Sequence, residues 1–237
     1  MMIVSILAAT AVLFPAPVVQ AKTLQIKDLK VGTGPGATDG DYLTMDYKGT
    51  LTNGTQFDAS TGGAPFKFML GASMVIKGWD KGVLGMKVGG TRKLVIPAEL
   101  GYGAQATGSI PANSTLVFEI TLRKIERATF TVLKPGKGPS AAFGDSLLVH
   151  YKGSLKDGGK QFDSSYERGQ PFPVDLPGRV IPGFTQGLLG IKQGEKRRVT
   201  IPASLGYGER GAGGVIPPNA DLIFELEAVQ VTKGAGR

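Results

Sequence analysis

The sequence contains no cysteine and a single histidine, His150, among its 237 residues. Without cysteine the chain forms no disulfide, supplies no thiolate nucleophile and offers no sulfur ligand for zinc. A catalytic triad or a histidine-based metal site would have one histidine to draw on. Most nucleophilic and metal-dependent catalysis needs these side chains, so we predict that the chain uses no metal and no cofactor.

The sequence also lacks a concentrated block of charge, although Lys and Arg outnumber Asp and Glu by 27 to 19 for a net charge of +8. A basic excess can indicate nucleic acid or an anionic membrane surface as a partner. Here the charges are scattered, and the densest group is Lys196-Arg197-Arg198 beside the apolar Val199 and Ile201. We interpret this group as a solvent-facing strand surface, with contact to an anionic surface as the alternative, and we predict no nucleic-acid partner.

Charged side chains are absent from the first 21 residues, and the first one is Lys22. The apolar run Ile3–Phe14 has the length of the hydrophobic region of a signal peptide and is short for a membrane span. Small residues precede a possible cleavage site after Ala21. We predict a signal peptide over residues 1–21 and export to the periplasm or the cell exterior, with no stable span after cleavage; an uncleaved membrane anchor or a wrongly placed start is the alternative.

What the sequence does contain is a long internal repeat. A shift of 104 to 106 residues superimposes the two copies, a period typical of a duplicated domain rather than of a solenoid. We predict one domain over residues 22–127 and a second over 128–237. The repeated segments are DYKGTLTNGTQFD (46–58) with HYKGSLKDGGKQFD (150–163), VIKGWDKGVLGMKVGGTRKLVIPAELGYG (75–103) with VIPGFTQGLLGIKQGEKRRVTIPASLGYG (180–208), and IPANSTLVFEI (110–120) with IPPNADLIFEL (216–226).

Each copy has the pattern of strands with one short helix. Runs such as Leu116–Leu122 are rich in β-favouring residues. In the first copy Trp79, Val83 and Met86 recur at helical spacing before Gly89-Gly90, where we expect the helix to close. The second copy repeats this spacing with Phe184, Leu188 and Ile191 before Gln193-Gly194. We predict an α+β fold, a curved antiparallel β-sheet wrapped around one short helix, present twice in tandem.

Two motifs that could suggest other chemistry do not fit their context. GYGERG at residues 206–211 matches the dinucleotide-binding pattern, but glycines and prolines follow it where a helix would have to begin. His150 corresponds to Asp46 in the first copy, so a function shared by both copies cannot use it.

Six aromatic positions are shared by the two copies, each set accompanied by an aspartate that directly follows a phenylalanine, Asp58 and Asp163. An aromatic core is one interpretation. A concave apolar pocket with a few polar groups is the other. The shared aromatics are Tyr47, Phe57, Phe66, Trp79, Tyr102 and Phe118 in the first copy, and Tyr151, Phe162, Phe172, Phe184, Tyr207 and Phe224 in the second.

These ordered motifs resemble the FKBP-type peptidyl-prolyl cis-trans isomerases, the immunophilins that bind tacrolimus and rapamycin. The first copy carries YKGTLTNGTQFD, PFKFMLG, VIKGW, GYG and IPANSTLVFEI, and the second carries YKGSLKDGGKQFDSS, VIPGF, GYG and IPPNADLIFEL. The resemblance covers about residues 24–126 and 128–231. It implies an enzyme that accelerates rotation of X-Pro bonds in folding clients, without covalent chemistry, and a pocket open to macrolides of the tacrolimus and rapamycin type.

The resemblance also implies a role for each matched position. Trp79 or Phe184 forms the pocket floor, and Tyr102 or Tyr207 hydrogen-bonds a substrate carbonyl, as does the backbone N–H of Ile76 or Ile181. The implied catalytic residues are Asp58, Tyr102, Asp163 and Tyr207. The implied substrate-binding residues are Tyr47, Phe57, Phe66, Val75, Ile76, Trp79, Ile110 and Phe118 in the first copy, and Tyr151, Phe162, Phe172, Val180, Ile181, Phe184, Ile216 and Phe224 in the second.

Each copy departs from the family pattern in one respect. Phe184 stands where the family usually has tryptophan, and residues 59–66 contain no arginine to pair with Asp58, whereas Arg168 can pair with Asp163. We predict that both copies bind proline-containing peptides. The alternative function is a chaperone or scaffold in which one or both pockets bind without catalysis.

Overall fold

A computed structural model describes residues 21–60 and 63–234 of the chain. It contains two six-stranded antiparallel sheets in succession, each with one short α-helix, so the predicted tandem α+β fold is confirmed. The strands of the first domain end at Glu126 and those of the second begin at Thr129. The predicted signal peptide, apart from Ala21, lies outside the described residues and stays a prediction.

The elements of the first domain are β1 Gln25–Lys30, β2 Tyr42–Leu51, β3 Gln56–Ala59, β4 Phe66–Met69, α1 Lys77–Gly82, β5 Thr91–Ile96 and β6 Leu116–Glu126. The strand order is β1-β5-β6-β2-β3, and β4 also pairs with β2. The long central pair β2 and β6 sets the register, with Tyr47 opposite Ile120. Between Ile96 and Tyr102 the chain makes one turn of 3-10 helix at Ala98–Leu100.

The elements of the second domain are β7 Thr129–Lys134, β8 Ser146–Leu155, β9 Gln161–Ser164, β10 Phe172–Asp175, α2 Pro182–Leu188, β11 Lys196–Ile201 and β12 Leu222–Thr232, with 3-10 turns at Ala203–Leu205 and Gly208–Arg210. The topology of the first domain is repeated, with strand order β10-β8-β12-β11-β7 and β9 paired with β8. Tyr151 lies opposite Leu226, as Tyr47 lies opposite Ile120 in the first domain.

Glycine allows each helix to pack closely on its sheet. A Cβ atom at Gly78 of α1 would lie 2.4 Å from Ile96 of β5, and one at Gly183 of α2 would lie 2.3 Å from Ile201 of β11. Such contacts are shorter than packed atoms tolerate, so a larger residue would push the helix away. The close approach of helix to sheet brings Trp79 and Phe184 onto the aromatic rings of the strands.

Both helices are shorter than the apolar spacing predicts. α1 ends at Gly82 and α2 at Leu188, whereas the pattern extends to Met86 and Ile191. Met86 and Ile191 are buried all the same, because the chain turns after the helix through a glycine with positive φ and returns them to the core. Periodicity therefore identified the buried residues correctly and the helix end wrongly.

An arginine of the strand beside each helix is buried, which corrects part of the interpretation of Lys196-Arg197-Arg198. Arg197 of β11 is 3% exposed and donates to Glu195 over 2.7 Å and to the backbone carbonyl of Gly187 over 3.1 Å. Its equivalent Arg92 donates to Gly82 O in the same way, over 2.8 Å. The prediction of a solvent-facing surface was wrong for Arg197, because the carbonyls at the end of the helix need donors that a buried guanidinium supplies.

The two domains contact each other through Gln186 of α2. Its side-chain amide donates to the carbonyls of Gly40 (2.8 Å) and Glu126 (3.0 Å), and its carbonyl accepts from the N–H of Ala128 (2.7 Å). Tyr42 of β2 also packs against the core of the second domain. The short connection between β6 and β7 is therefore held against α2.

Candidate functional site

In the first domain a cavity of about 470 Å³ opens between α1, the sheet and the loop that carries Tyr102. We call it the first cavity. Tyr102 stands at its mouth with 42% of its surface exposed. The lining residues are Tyr47, Phe57, Asp58, Phe66, Ser73, Met74, Val75, Ile76, Trp79, Tyr102 and Phe118.

Trp79 lies at the bottom of the first cavity and is 4% exposed. Its ring meets Tyr47 edge-on at a centroid distance of 5.2 Å and Phe118 at 5.3 Å, the arrangement that aromatic quadrupoles favour. Its buried indole N–H has no hydrogen-bond partner among the described residues. The rings pack on one another and still leave an open face, so the aromatic set is both a core and a pocket wall.

The second domain contains an equivalent cavity of about 390 Å³, the second cavity. Phe184 occupies the floor and meets Phe224 edge-on at 5.2 Å and Tyr151 at 5.7 Å. The lining residues are Tyr151, Phe162, Asp163, Phe172, Arg179, Val180, Ile181, Phe184, Tyr207 and Phe224.

Asp58 is the carboxylate of the first cavity, placed there by β3. The hydroxyl of Tyr47 donates to Asp58 Oδ2 over 2.6 Å, and the N–H of Ala59 donates to Oδ1 over 2.8 Å. Burial of the ring, together with this hydrogen bond to a carboxylate, raises the pKa of Tyr47 to about 12. Tyr47 therefore stays protonated and donates its hydrogen to Asp58 across the physiological pH range.

Asp163 in the second cavity has an additional partner. It accepts from the hydroxyl of Tyr151 over 2.5 Å and from Arg168 over 2.6 Å, and Arg168 also donates to the Tyr151 oxygen over 2.6 Å. Burial alone would raise the pKa of Asp163, but the hydrogen bonds from Tyr151 and Arg168 outweigh it and lower that pKa. The second cavity thus holds a closed triangle of three polar groups where the first holds a pair.

In each domain the structure gathers nine of the ten positions that the resemblance implies around one cavity. The exceptions are Ile110 and Ile216, which are 6% and 5% exposed, belong to the hydrophobic cores and do not line either cavity. Ser73, Met74 and Arg179 line the cavities without having been predicted from the sequence. Their types differ between the copies, so the repeats carry no signal for them.

A shared glycine beneath the wall rings was likewise not predicted. A Cβ atom at Gly49 would lie 2.6 Å from the ring of Phe57, and one at Gly153 would lie 2.7 Å from the ring of Phe162. These glycines leave room for the far ends of the phenylalanine rings beside the strand. The signal for them was present, because both copies contain Tyr-Lys-Gly at this point.

Three other features could indicate a different kind of site in the part of the chain that the structure describes: a membrane-spanning helix, a metal-binding cluster and the histidine His150. Within residues 21–60 and 63–234 no helix is long and apolar enough to cross a membrane. In the same ranges no three acidic or histidine side chains come together as metal ligands. His150 stacks on Tyr166 with a ring-centroid distance of 4.5 Å, away from the lining of the second cavity.

Comparison with known proteins gives consistent similarities. A profile of the FKBP-type peptidyl-prolyl cis-trans isomerase family matches residues 34–123 and 138–229. The chain is 42% identical over 200 residues to the peptidyl-prolyl cis-trans isomerase FKBP10 of Bos taurus, which covers 81% of this chain and 34% of that protein. It is 55% identical over 109 residues to FK506-binding protein 4 of Neurospora crassa, covering 46% of this chain and 23% of that protein.

Among solved structures, the three FKBP domains of wheat FKBP73 align with a TM-score of 0.43 at 27% identity, covering 89% of this chain and 95% of that one. The chain spans about a third of the length of FKBP10, at 34%, so the similarity concerns this tandem pair and not the whole of that protein. The match extends over both copies of the repeat.

Proposed function

This chain belongs to the FKBP-type peptidyl-prolyl cis-trans isomerase family, and we propose that each of its two domains catalyses rotation of X-Pro peptide bonds in protein substrates. The observation that carries the proposal is the open, ring-walled cavity with one carboxylate that recurs in both domains. The cavities differ in volume and in rim composition, but their floors, walls and carboxylates correspond.

The proposed chemistry follows from the electronic structure of the amide. Rotation about the C–N bond has a barrier of ~18–20 kcal/mol because resonance gives that bond double-bond character and places negative charge on oxygen. The twisted transition state has lost this resonance and is less dipolar than the planar amide. Apolar walls solvate the planar form worse than water does, so the cavity favours the twisted form, and each ~1.4 kcal/mol of preference accelerates rotation about tenfold.

The rings receive the prolyl side chain in this proposal. Trp79 or Phe184 supports it from below, and Phe118 or Phe224, packed edge-on against that floor, closes one side. Shape selection needs a rigid wall, and interlocked edge-to-face rings provide one. No nucleophile or proton transfer is required.

Polar groups at the rim orient the substrate. In this proposal Tyr102 and Tyr207, both partly exposed, donate their hydroxyl hydrogens to a substrate carbonyl. Ile76 stands at the start of α1 with an extended backbone (φ −60°, ψ 148°), and Ile181 adopts the same conformation (φ −59°, ψ 144°). The N–H groups at these helix starts are suited to bind a second carbonyl. Asp58 or Asp163 acts electrostatically beside the twisting amide.

We further propose that the natural substrates are proline-containing segments of folding clients and that the chain acts after export. The export proposal rests on the apolar residues 1–21. Macrolides of the tacrolimus and rapamycin type would compete for the same ring-walled cavities.

Binding without catalysis is a second candidate for the second domain. Its cavity is smaller, at about 390 Å³ against about 470 Å³, and its floor is Phe184 rather than a tryptophan. A narrower pocket with less floor area would hold a prolyl ring and favour the twisted amide less strongly.

The test uses matched variants of the full chain, Ile76→Asp and Ile181→Asp. Each replaces an apolar lining residue with a carboxylate, and aspartate is a favourable residue at a helix start, so the fold is expected to survive. A protease-coupled cis/trans assay reads the rate, and thermal unfolding with the exposed-site control Lys87→Asp checks the fold. We expect each single variant to keep the activity of one domain and the double variant to lose about a hundredfold in kcat/KM, about 2.7 kcal/mol.

Two outcomes decide between the candidates. A folded double variant with the wild-type rate would overturn the proposed function. No turnover by the Ile76→Asp chain, with retained peptide binding, would assign binding without catalysis to the second domain.

A further inference from the structure

The two cavities have aromatic rings at equivalent positions but opposite charge at their mouths. Among the described residues, Asp58 is the one charged side chain lining the first cavity, whereas Asp163 and Arg179 both line the second. Resting on the proposed function, we propose that the second cavity selects proline segments with an acidic side chain next to the proline and that the first disfavours them. Arg179 is the specificity-determining residue in this proposal.

Arg179 directly precedes Val180, at the rim where α2 begins, and it is exposed. Arg179 takes part in none of the ion pairs formed among the described residues, so its charge is available to a bound peptide. The first domain has Met74 in the corresponding position before Val75, and Met74 is 56% exposed. The rim therefore offers an unpaired cation in one domain and an apolar side chain in the other.

The carboxylates deeper in the cavities increase this difference. Arg168 neutralises Asp163 through an ion pair of 2.6 Å. In the first domain no lysine or arginine of the described residues pairs with Asp58, which is bound by Tyr47 and a backbone N–H. The first mouth is left with one negative charge and the second with one positive charge.

Tyr166 keeps Arg168 in this position. Its hydroxyl donates to Glu227 over 2.7 Å, and its ring stacks on His150 with an interplanar angle of 14°. The loop from Asp163 to Arg168 is thereby pinned at its middle to the outer face of β8 and β12. The backbone near Arg168 is therefore held in place while its side chain pairs with Asp163.

Charged residues elsewhere around the two cavities do not reverse the difference in charge between their mouths. Residues 103–109 carry no charge, and in the equivalent loop Glu209 and Arg210 cancel each other. Lys67 and Lys77 in the first domain are exposed but do not line its cavity. The sign at each mouth is therefore set by the lining residues and by Arg168.

The preference of each cavity for one peptide charge should be moderate and sensitive to salt. In water, the interaction between two unit charges several ångström apart changes the affinity for a charged peptide by about threefold. Charges at the rim of an apolar cleft act on the approaching peptide more than charges elsewhere on the surface. Salt weakens such exposed interactions, which distinguishes them from a change of shape.

The experiment measures kcat/KM and Kd for peptides that differ in one residue, Glu, Gln or Lys, placed before the proline in one set and after it in another. The Ile76→Asp chain reports the second cavity and the Ile181→Asp chain reports the first. Each value is divided by that of the Gln peptide. Arg179→Met in the former chain and Met74→Arg in the latter exchange the two rims.

We expect the second cavity to prefer Glu over Lys by about threefold or more at low salt in at least one peptide set, and the first cavity to prefer Lys over Glu in that set. Arg179→Met and high salt should each bring the ratio close to one, and Met74→Arg should raise it in the first cavity. Equal ratios in the two cavities, or a ratio unchanged by Arg179→Met, would overturn the proposal. If the Gln peptides are bound but not turned over, the catalytic function fails while the Kd ratios still decide the charge preference.

Discussion

The two domains share their apolar cavity and differ in the polar groups around it. Trp79 and Phe184 each meet a tyrosine and a phenylalanine of the sheet edge-on. By contrast, Asp58 has a tyrosine partner and Asp163 has a tyrosine and an arginine. Each ring is held by several others, so replacing one disturbs its neighbours. Rim side chains contact solvent and can change independently. A duplicated domain can therefore keep its chemistry and alter its selectivity.

The buried arginines of the two domains also occupy equivalent positions but differ in the carboxylate that they pair with. Arg92 pairs with Asp28 of β1, whose side chain is 44% exposed, whereas Arg197 pairs with Glu195, whose side chain is 7% exposed. Both arginines bond the carbonyls at the end of the helix. The position is equivalent in both domains, but the second domain depends on a buried ion pair.

Removal of these arginines should give the largest difference between the domains. Arg197→Ala leaves Glu195 buried without its partner, a change that costs about 3–5 kcal/mol. Arg92→Ala leaves the half-exposed Asp28 free to be hydrated, and loss of the hydrogen bonds to the helix end costs about 1–3 kcal/mol. Urea unfolding of the full chain measures both, with the exposed Arg198→Ala as control. Equal losses for Arg92→Ala and Arg197→Ala would show that burial of the partner carboxylate does not matter.

The contact between the domains should give a smaller effect. Gln186→Ala removes three hydrogen bonds at the junction of the domains, and we expect it to lower the free energy of unfolding by about 1–3 kcal/mol. The N–H of Ala128, which donates to Gln186, should exchange its hydrogen faster. The equivalent residue in α1 is the exposed Lys81, and Lys81→Ala should change neither property. Unchanged exchange at Ala128 would show that the domains are held by other contacts.

The smallest effect concerns ionisation of the paired tyrosines. The pKa of Tyr47 is raised from the ordinary value of 10 to about 12. The hydrogen bond from Tyr47 to Asp58 therefore stabilises the fold fully below pH 10, and this stabilisation is lost as the pH rises through about 12. Burial and Asp163 also raise the pKa of Tyr151, but Arg168 opposes the rise. Ultraviolet titration of Tyr47→Phe should show a phenolate step near pH 12 that is smaller by one tyrosine than the step of the unchanged chain. If the amplitude of the step is unchanged, the coupling between Tyr47 and Asp58 is absent in solution.

Local sequence patterns predicted buried positions better than element boundaries or side-chain partners. The spacing of Trp79, Val83 and Met86 identified three buried residues, although the helix ends at Gly82 because a turn through Gly85 follows it. The charge of Arg197 suggested solvent, and its burial depends on helix-end carbonyls ten and eight residues earlier in the chain. No local pattern contains that information.

The sequence by itself determined the duplication, the α+β class and the set of rings that the two copies share, because repeats, periodicity and apolar residue types are local properties that burial preserves. These patterns alone leave open whether the rings form a closed core or line a cavity. Tertiary structure alone decided which charges reach the cavity mouths, that Ile110 and Ile216 lie in the cores, and that Gln186 joins the domains. Polar interactions are directional and short-ranged, so their partners are settled when distant segments meet at hydrogen-bonding distance.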